Sequence, residues 1–345
     1  LNANHQGLAI GKGSFDFIRS EHSKNMRKHP CIKRLFLVGS FLMATVSYSQ
    51  TEVTIVDSTA VRVIRGTLLL PASATETVVL LIAGSGPTNR NGNQRMMTSN
   101  YFKLIAAELA AKGVASLRYD KRGIGQSTMT DPAEERVVLD DFVSDAVALI
   151  ARLRADTRFK KVFVFGHSEG SLVGMLACQR AVVDGFISAA GIGRPLDVVL
   201  KAQLKDNPYN PKEIVDQSFR IIDSLKAGHR VKQVSPVLFA LFRPSVQPFL
   251  ISVFSYDPAR ELAKLRVPVQ IVQGTTDIQV GVQDAEILRQ AQPRAVYTLI
   301  EGMNHVFREA PADRMLNIAT YTKAELPLAP GLMPSLLAFI ASVSR

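Results

Sequence analysis

The sequence predicts an α/β architecture: a mostly parallel central sheet, helices on both faces, and a helical insertion late in the chain. Three observations carry this. Short continuous apolar runs such as Val78–Ala83 and Val162–Phe165 read as strands buried on both faces. Stretches of helical period, Tyr101–Lys112 and Leu139–Arg154, alternate with them. From Ile192 to about Ser255 no clear strand pattern appears, and helix-like stretches are split by Pro208, Pro211, Pro236, Pro244 and Pro248. The 345 residues, 47% of them hydrophobic, suffice for one large core.

The chain opens with a processing pattern. Arg27, Lys28, Lys33 and Arg34 are basic, Leu35–Val46 carries no charge, and Ser47-Tyr48-Ser49 offers small residues before Gln50. Residues 26–49 are therefore expected to be a secretory signal peptide, with export to the periplasm or the medium. A membrane-anchoring helix is the alternative, but the apolar run is short for a bilayer span, so no stable membrane insertion is expected after cleavage. Residues 1–25 precede this pattern without an initiating Met and are expected to stem from translation upstream of Met26. Cys31 lies in the leader. Cys178 would then remain alone, without an intrachain disulfide.

The net charge of +11 is unevenly spread: residues 1–49 hold seven Lys/Arg against two acids. The rest is closer to balance and has no basic run with interleaved aromatics, so nucleic acid is not an expected partner.

Gln50–Leu70 alternates and reads as an antiparallel hairpin at the sheet edge. Val78–Ala83 leads into Gly84-Ser85-Gly86-Pro87, where a backbone amide can turn toward a ligand; a plain loop is the alternative. Helix Tyr101–Lys112 stops at Gly113, and Val114–Tyr119 is the next strand. Asp120-Lys121-Arg122-Gly123-Ile124-Gly125-Gln126-Ser127 lacks the Gly-Lys-Ser/Thr ending of a phosphate loop and reads as structural, with Asp120 and Arg122 holding neighbouring turns.

Val162–Phe165 then runs into Gly166-His167-Ser168-Glu169-Gly170 and a helix rich in small residues. This is a G-x-S-x-G elbow in its strand–turn–helix setting. A serine on such a turn takes a strained backbone, and its neighbours two positions either side must be glycine. The new helix aims its first amides at the serine hydroxyl.

Gly185–Ala189 is the following strand. The region at about 192–255 is expected to cap the sheet's C-terminal edge. Phe239, Phe242, Phe249 and Phe254 are candidates to line a substrate pocket, or else to bind the cap to the core. Val267–Gln273 precedes Gly274-Thr275-Thr276-Asp277, and Ala295–Ile300 precedes Glu301-Gly302-Met303-Asn304-His305. Met333–Val343 closes the chain as a helix.

Ser168, Asp277 and His305 each follow a predicted strand, and in a parallel sheet those ends share one edge. Their order is that of a serine nucleophile, a supporting acid and a base. Asp284 and Asp257 are rival acids, the first at a helix start where an N-cap role accounts for it. His167 follows the turn and is expected to face elsewhere, and His229 lies in the cap. Backbone N–H groups of Ser85 and Glu169 are the expected oxyanion donors. No H-E-x-x-H or paired-Cys spacing occurs, so neither a metal nor an organic cofactor is expected.

These segments, with Arg118–Ser127, resemble the α/β-hydrolase superfamily, and more narrowly bacterial secreted or periplasmic esterases of the serine-aminopeptidase-like group. The resemblance spans nearly all of residues 78–310. It implies the α/β-hydrolase fold and hydrolysis of carboxylic esters of small molecules, with short-chain or carbohydrate-linked acyl groups as plausible substrates. Ala83 stands where such relatives often carry a histidine. The alternatives are an exported peptidase or amidase with the same triad, and a non-catalytic binding protein on a hydrolase fold. The oligomeric state is left open.

Overall fold

The computed structural model describes residues 49–57, 62–129 and 134–344. They fall in the larger of two compact units, Thr45–Arg345. The expected upstream extension, residues 1–25, and the expected leader up to residue 48 lie outside the described residues. Ser49, the last residue of that leader, opens the first strand.

In chain order the elements are β1 (Ser49–Asp57), β2 (Arg62–Leu70), β3 (Thr77–Ile82), α1 (Tyr101–Ala111), β4 (Ala115–Tyr119), β5 (Thr128–Met129), α2 (Leu139–Ala155), β6 (Lys161–His167), α3 (Glu169–Arg180) and β7 (Gly185–Ala189). There follow α4 (Leu196–Lys205), α5 (Lys212–Lys226), α6 (Phe239–Phe242), α7 (Gln247–Phe254), α8 (Pro258–Ala263), β8 (Val269–Gly274), α9 (Val282–Ala291), β9 (Val296–Ile300), α10 (Arg314–Ala319) and α11 (Leu332–Ser344).

The strands form one open sheet of order β1-β2-β4-β3-β6-β7-β8-β9, with β5 paired to β2. From β4 to β9 along this order every pairing is parallel. The expected hairpin is β1–β2, antiparallel to each other and, through β2, to β4.

The central strands are apolar throughout because both faces are covered. Side chains alternate across a strand, so Val78, Leu80 and Ile82 of β3 join one core while Val79 and Leu81 join the other. Helices α2, α3 and α9 cover the first face through residues such as Leu149, Met175 and Leu288; α1 and α11 cover the second through Ile105 and Leu336. This is the fold class read from the apolar runs.

Between β7 and β8 the described elements are helical, α4 to α8, with α4 to α7 forming the insert. Parts of this insert border the loops that leave β4, β6 and β8, at the C-terminal edge of the sheet. Of the four phenylalanines, Phe242 and Phe254 are fully buried in the core, Phe239 is half exposed, and Phe249 lines a cavity. Only one of the four therefore has a pocket-lining position.

Buried polar side chains tie the loops to this frame. Asp120 accepts hydrogen bonds from the Arg90 backbone N–H and guanidinium and from the Gln126 N–H. Arg122 makes two 2.9 Å bonds to the buried Asp145 carboxylate and pairs with Asp141 at 2.8 Å. Asp120 thus holds neighbouring turns as expected, whereas Arg122 ties its loop to helix α2. Asp284 does not cap its helix: Gly281 is the N-cap of α9, and Asp284 instead accepts from Gly193 N–H, Arg194 N–H and the Arg194 guanidinium. It anchors the start of the insert. Asp257 caps α8. Neither rival acid is free for another role.

Removing Asp145 takes the fully buried partner from Arg122 and leaves it the partly exposed Asp141. Asp145→Ala is expected to destabilise the fold by about 3–5 kcal/mol in urea unfolding. A loss below about 1 kcal/mol, the scale of an exposed pair, would show that Arg122 is held by other means.

Candidate active site

Strand β6 stops at His167, Ser168 turns, and α3 starts at Glu169. Ser168 has φ 55° and ψ −124°, a conformation L side chains rarely adopt. The turn is possible because its neighbours have no side chains. A Cβ on Gly170 would lie 2.5 Å from the Ala83 carbonyl oxygen and 2.6 Å from that of Ile82. A Cβ on Gly166 would overlap the Gly170 carbonyl. On the β3 side, a Cβ on Gly84 would come within 3.0 Å of the Ser168 Cβ. Loop 84–87 therefore lies directly against the serine.

His305 follows β9 and is almost buried. Its Nδ1 lies 2.8 Å from Oδ2 of Asp277, whose side chain is fully buried. The N–H groups of Gln279 and Val280 donate to the other oxygen of Asp277, at 2.8 and 3.0 Å. The carboxylate is thus fixed from behind and presents one oxygen to the ring. With Nδ1–H donating to it, Nε2 is left as an acceptor. Asn304 shapes the histidine loop: it accepts from Val306 N–H and Arg308 N–H and donates to Thr320 Oγ1 at 2.8 Å. Helix α10 and the Thr320–Thr322 turn, which the sequence pattern did not suggest, supply these partners.

Ser168 and His305 line one small pocket, about 120 Å³, with Ser85, Thr88, Gln94 and Gln279. The sheet thus brings all three residues of the expected triad to one edge. Among the described residues the Ser168 hydroxyl makes no hydrogen bond to the ring, and it opens into the pocket. Such contacts often close only around substrate. The backbone N–H groups of Ser85 and Glu169 have no protein acceptor among the described residues. A second cavity, about 360 Å³, lies beyond the loop, between Pro87, Phe142, Glu169, Arg243 and Phe249.

His167 does not simply face elsewhere. Its ring centroid is 4.7 Å from that of His305, its Nε2–H donates to the His305 carbonyl at 2.9 Å, and the Tyr101 hydroxyl donates to Nδ1 at 3.2 Å. Both nitrogens of this neutral ring have partners, and it braces the backbone of His305. The sequence showed only its place beside the serine; Tyr101 lies far off in the chain. Burial, with His305 next to it, holds the His167 pKa well below the usual 6.5.

The unfolded chain protonates this histidine near pH 6.5, whereas the native state resists. Its contribution to stability is therefore complete above that pH and declines as pH falls through it, at up to about 1.4 kcal/mol per pH unit. Denaturant midpoints measured across this range are expected to drop below pH 6.5, and less steeply in His167→Gln. An equally steep profile in the variant would assign the acid sensitivity to other groups.

Residues 95–206 match the family described as serine aminopeptidase, S33. The esterase EstD of Thermotoga maritima is 28% identical over 232 residues, which cover 66% of this chain. That match takes in 54% of EstD, so the chain spans about half the length of this curated relative. Among solved structures, the esterase Est1E of Butyrivibrio proteoclasticus with ferulic acid bound superposes with TM-score 0.52 at 18% identity, covering 81% of this chain and 96% of that one. An esterase of Pyrococcus furiosus gives TM-score 0.55 at 14% identity, covering 89% and 96%. At such identities these structures share the architecture. With its architecture common to them, the chain has the α/β-hydrolase fold.

Proposed function

We propose that the protein hydrolyses carboxylic esters of small molecules through an acyl-enzyme on Ser168. The observation that carries this is the shared pocket of Ser168 and His305, with Asp277 behind the ring at 2.8 Å. The EstD relationship and the esterases among the solved structures support it.

In this mechanism Ser168 Oγ attacks the ester carbonyl and its proton passes to Nε2 of His305. Asp277 holds the tautomer and stabilises the imidazolium. The tetrahedral oxyanion is received by the N–H groups of Ser85 and Glu169, both without protein acceptors among the described residues. Collapse expels the alcohol, which takes the proton from Nε2. Water then repeats the sequence on the acyl-enzyme and releases the acid.

The pocket at the serine is small beside the roughly 300–1,000 Å³ of drug-sized ligand sites, and Ser85, Thr88, Gln94 and Gln279 make its wall polar. These features favour a short acyl group and a polar, carbohydrate-like neighbour. The larger cavity at Phe142 and Phe249 is the place for a bulkier portion. A second reading, cleavage of aminoacyl amides, rests on the description of the matched family. Export is part of the proposal and rests on the basic and apolar stretch at residues 26–49; appearance of the native protein outside the cytoplasm tests it.

Turnover of a nitrophenyl ester series is expected to peak at short acyl chains. Ser168→Ala is expected to lose about 10⁶-fold in kcat, and Asp277→Asn about 10⁴-fold. Equal rates in wild type and Ser168→Ala would dismiss the mechanism. Faster release from aminoacyl nitroanilides than from esters would favour the second reading.

A further inference from the structure

We infer that Lys121 is a positioning residue that polarises the oxyanion-binding peptide, its buried ammonium holding both carbonyls that flank Ser85. This rests on the proposed role of the Ser85 N–H.

Lys121 follows β4 and is 7% exposed. Its Nζ donates to the Gly84 carbonyl at 2.6 Å and to the Gly86 carbonyl at 2.6 Å. Among the described residues no carboxylate lies within ion-pair distance. The Phe142 ring centroid lies 5.7 Å from Nζ, and the buried Glu169 side chain shares a cavity wall with Lys121. Burial pushes the ammonium below the ordinary lysine value while Glu169 draws it back up. A buried cation with no carboxylate in ion-pair contact among the described residues is an expensive way to pin a loop, since a neutral donor could hold a carbonyl at less desolvation cost.

The chemistry of the peptide unit gives the charge a task. The Gly84 carbonyl and the Ser85 N–H are two ends of one planar group. A charge-assisted hydrogen bond at the oxygen draws electron density from the nitrogen end and makes the N–H a stronger donor. That N–H has no protein acceptor among the described residues, and Ser85 lines the pocket holding Ser168. The second bond, to Gly86, fixes the other side of Ser85, so donor direction and strength are set by one side chain. Negative charge on the substrate oxygen grows only as the tetrahedral intermediate forms. The effect of Lys121 therefore falls on the transition state rather than on substrate binding.

The test uses Lys121→Met, Lys121→Gln and Lys121→Arg, each checked for a native thermal transition. With a short-chain nitrophenyl ester, Lys121→Met is expected to lose about 10–100-fold in kcat, somewhat less than deletion of an oxyanion donor, with little change in KM. Lys121→Gln, a neutral donor, should lie between it and wild type, and Lys121→Arg should recover part of the rate. A trifluoromethyl ketone, which forms an oxyanion adduct on the serine, should lose affinity in step with kcat, while an unreactive amide analogue of the ester should not. If Lys121→Met does not fold, the other two variants carry the comparison. Unchanged kcat and ketone affinity in a folded variant would overturn the inference. So would parallel weakening of both inhibitors with a rise in KM, the signature of a displaced loop. Should wild type itself neither hydrolyse esters nor bind the ketone, the catalytic reading fails and this inference with it; an active wild type with indifferent variants sinks the lysine role alone.

Discussion

The site depends on how closely three backbones approach where β3 and β6 end. The first turn of α3 sits against the carbonyls of Ile82 and Ala83, with no room for a side chain at Gly170. Loop 84–87 is pressed against Ser168 from the other side. These contacts hold the serine at φ 55°, a strained conformation that an unsupported loop would relax. The Glu169 amide, the first of α3, has no helical acceptor, as at the start of any helix. The same close approach puts Ser85 and Ser168 in the wall of one pocket.

The remaining parts are held by buried polar side chains. Asp277 is oriented by two backbone N–H groups, His305 by Asp277 and by the loop that Asn304 organises, and the His305 carbonyl by His167. Asp120 draws the Arg90 backbone and guanidinium onto the turn after β4, and the neighbouring Lys121 reaches the Gly84 and Gly86 carbonyls. Each of these groups is desolvated and is stable only because its donors and acceptors are matched. These bonds tie the loops that carry His305 and Ser85 to distant segments of the sheet frame.

Much of the site was legible in the chain because its chemistry imposes local patterns. Gly166, Ser168 and Gly170 announce the elbow through spacing alone, and Asp277 and His305 stand just after apolar runs that could only be strands. The phenylalanines of the insert were not legible in this way. Phe242, Phe249 and Phe254 have similar sequence surroundings, yet two are buried in the core and one lines a cavity. Asp284 looked like a helix cap because it stands near a helix start. Its actual partners, Gly193 and Arg194, are about 90 positions away.

The sequence by itself determined the alternation of strand and helix, the elbow, and the order of serine, acid and base. Those features follow from periodicity and from the steric demands of single turns, which act over a few residues. Tertiary structure alone decided that His167 braces the base, that Tyr101 meets it, and that Lys121 reaches across to the Gly84 and Gly86 carbonyls. These pairings join segments 35 to 138 residues apart. They arise only when a parallel sheet gathers its C-terminal loops at one edge, and no local pattern encodes which side chains will then meet.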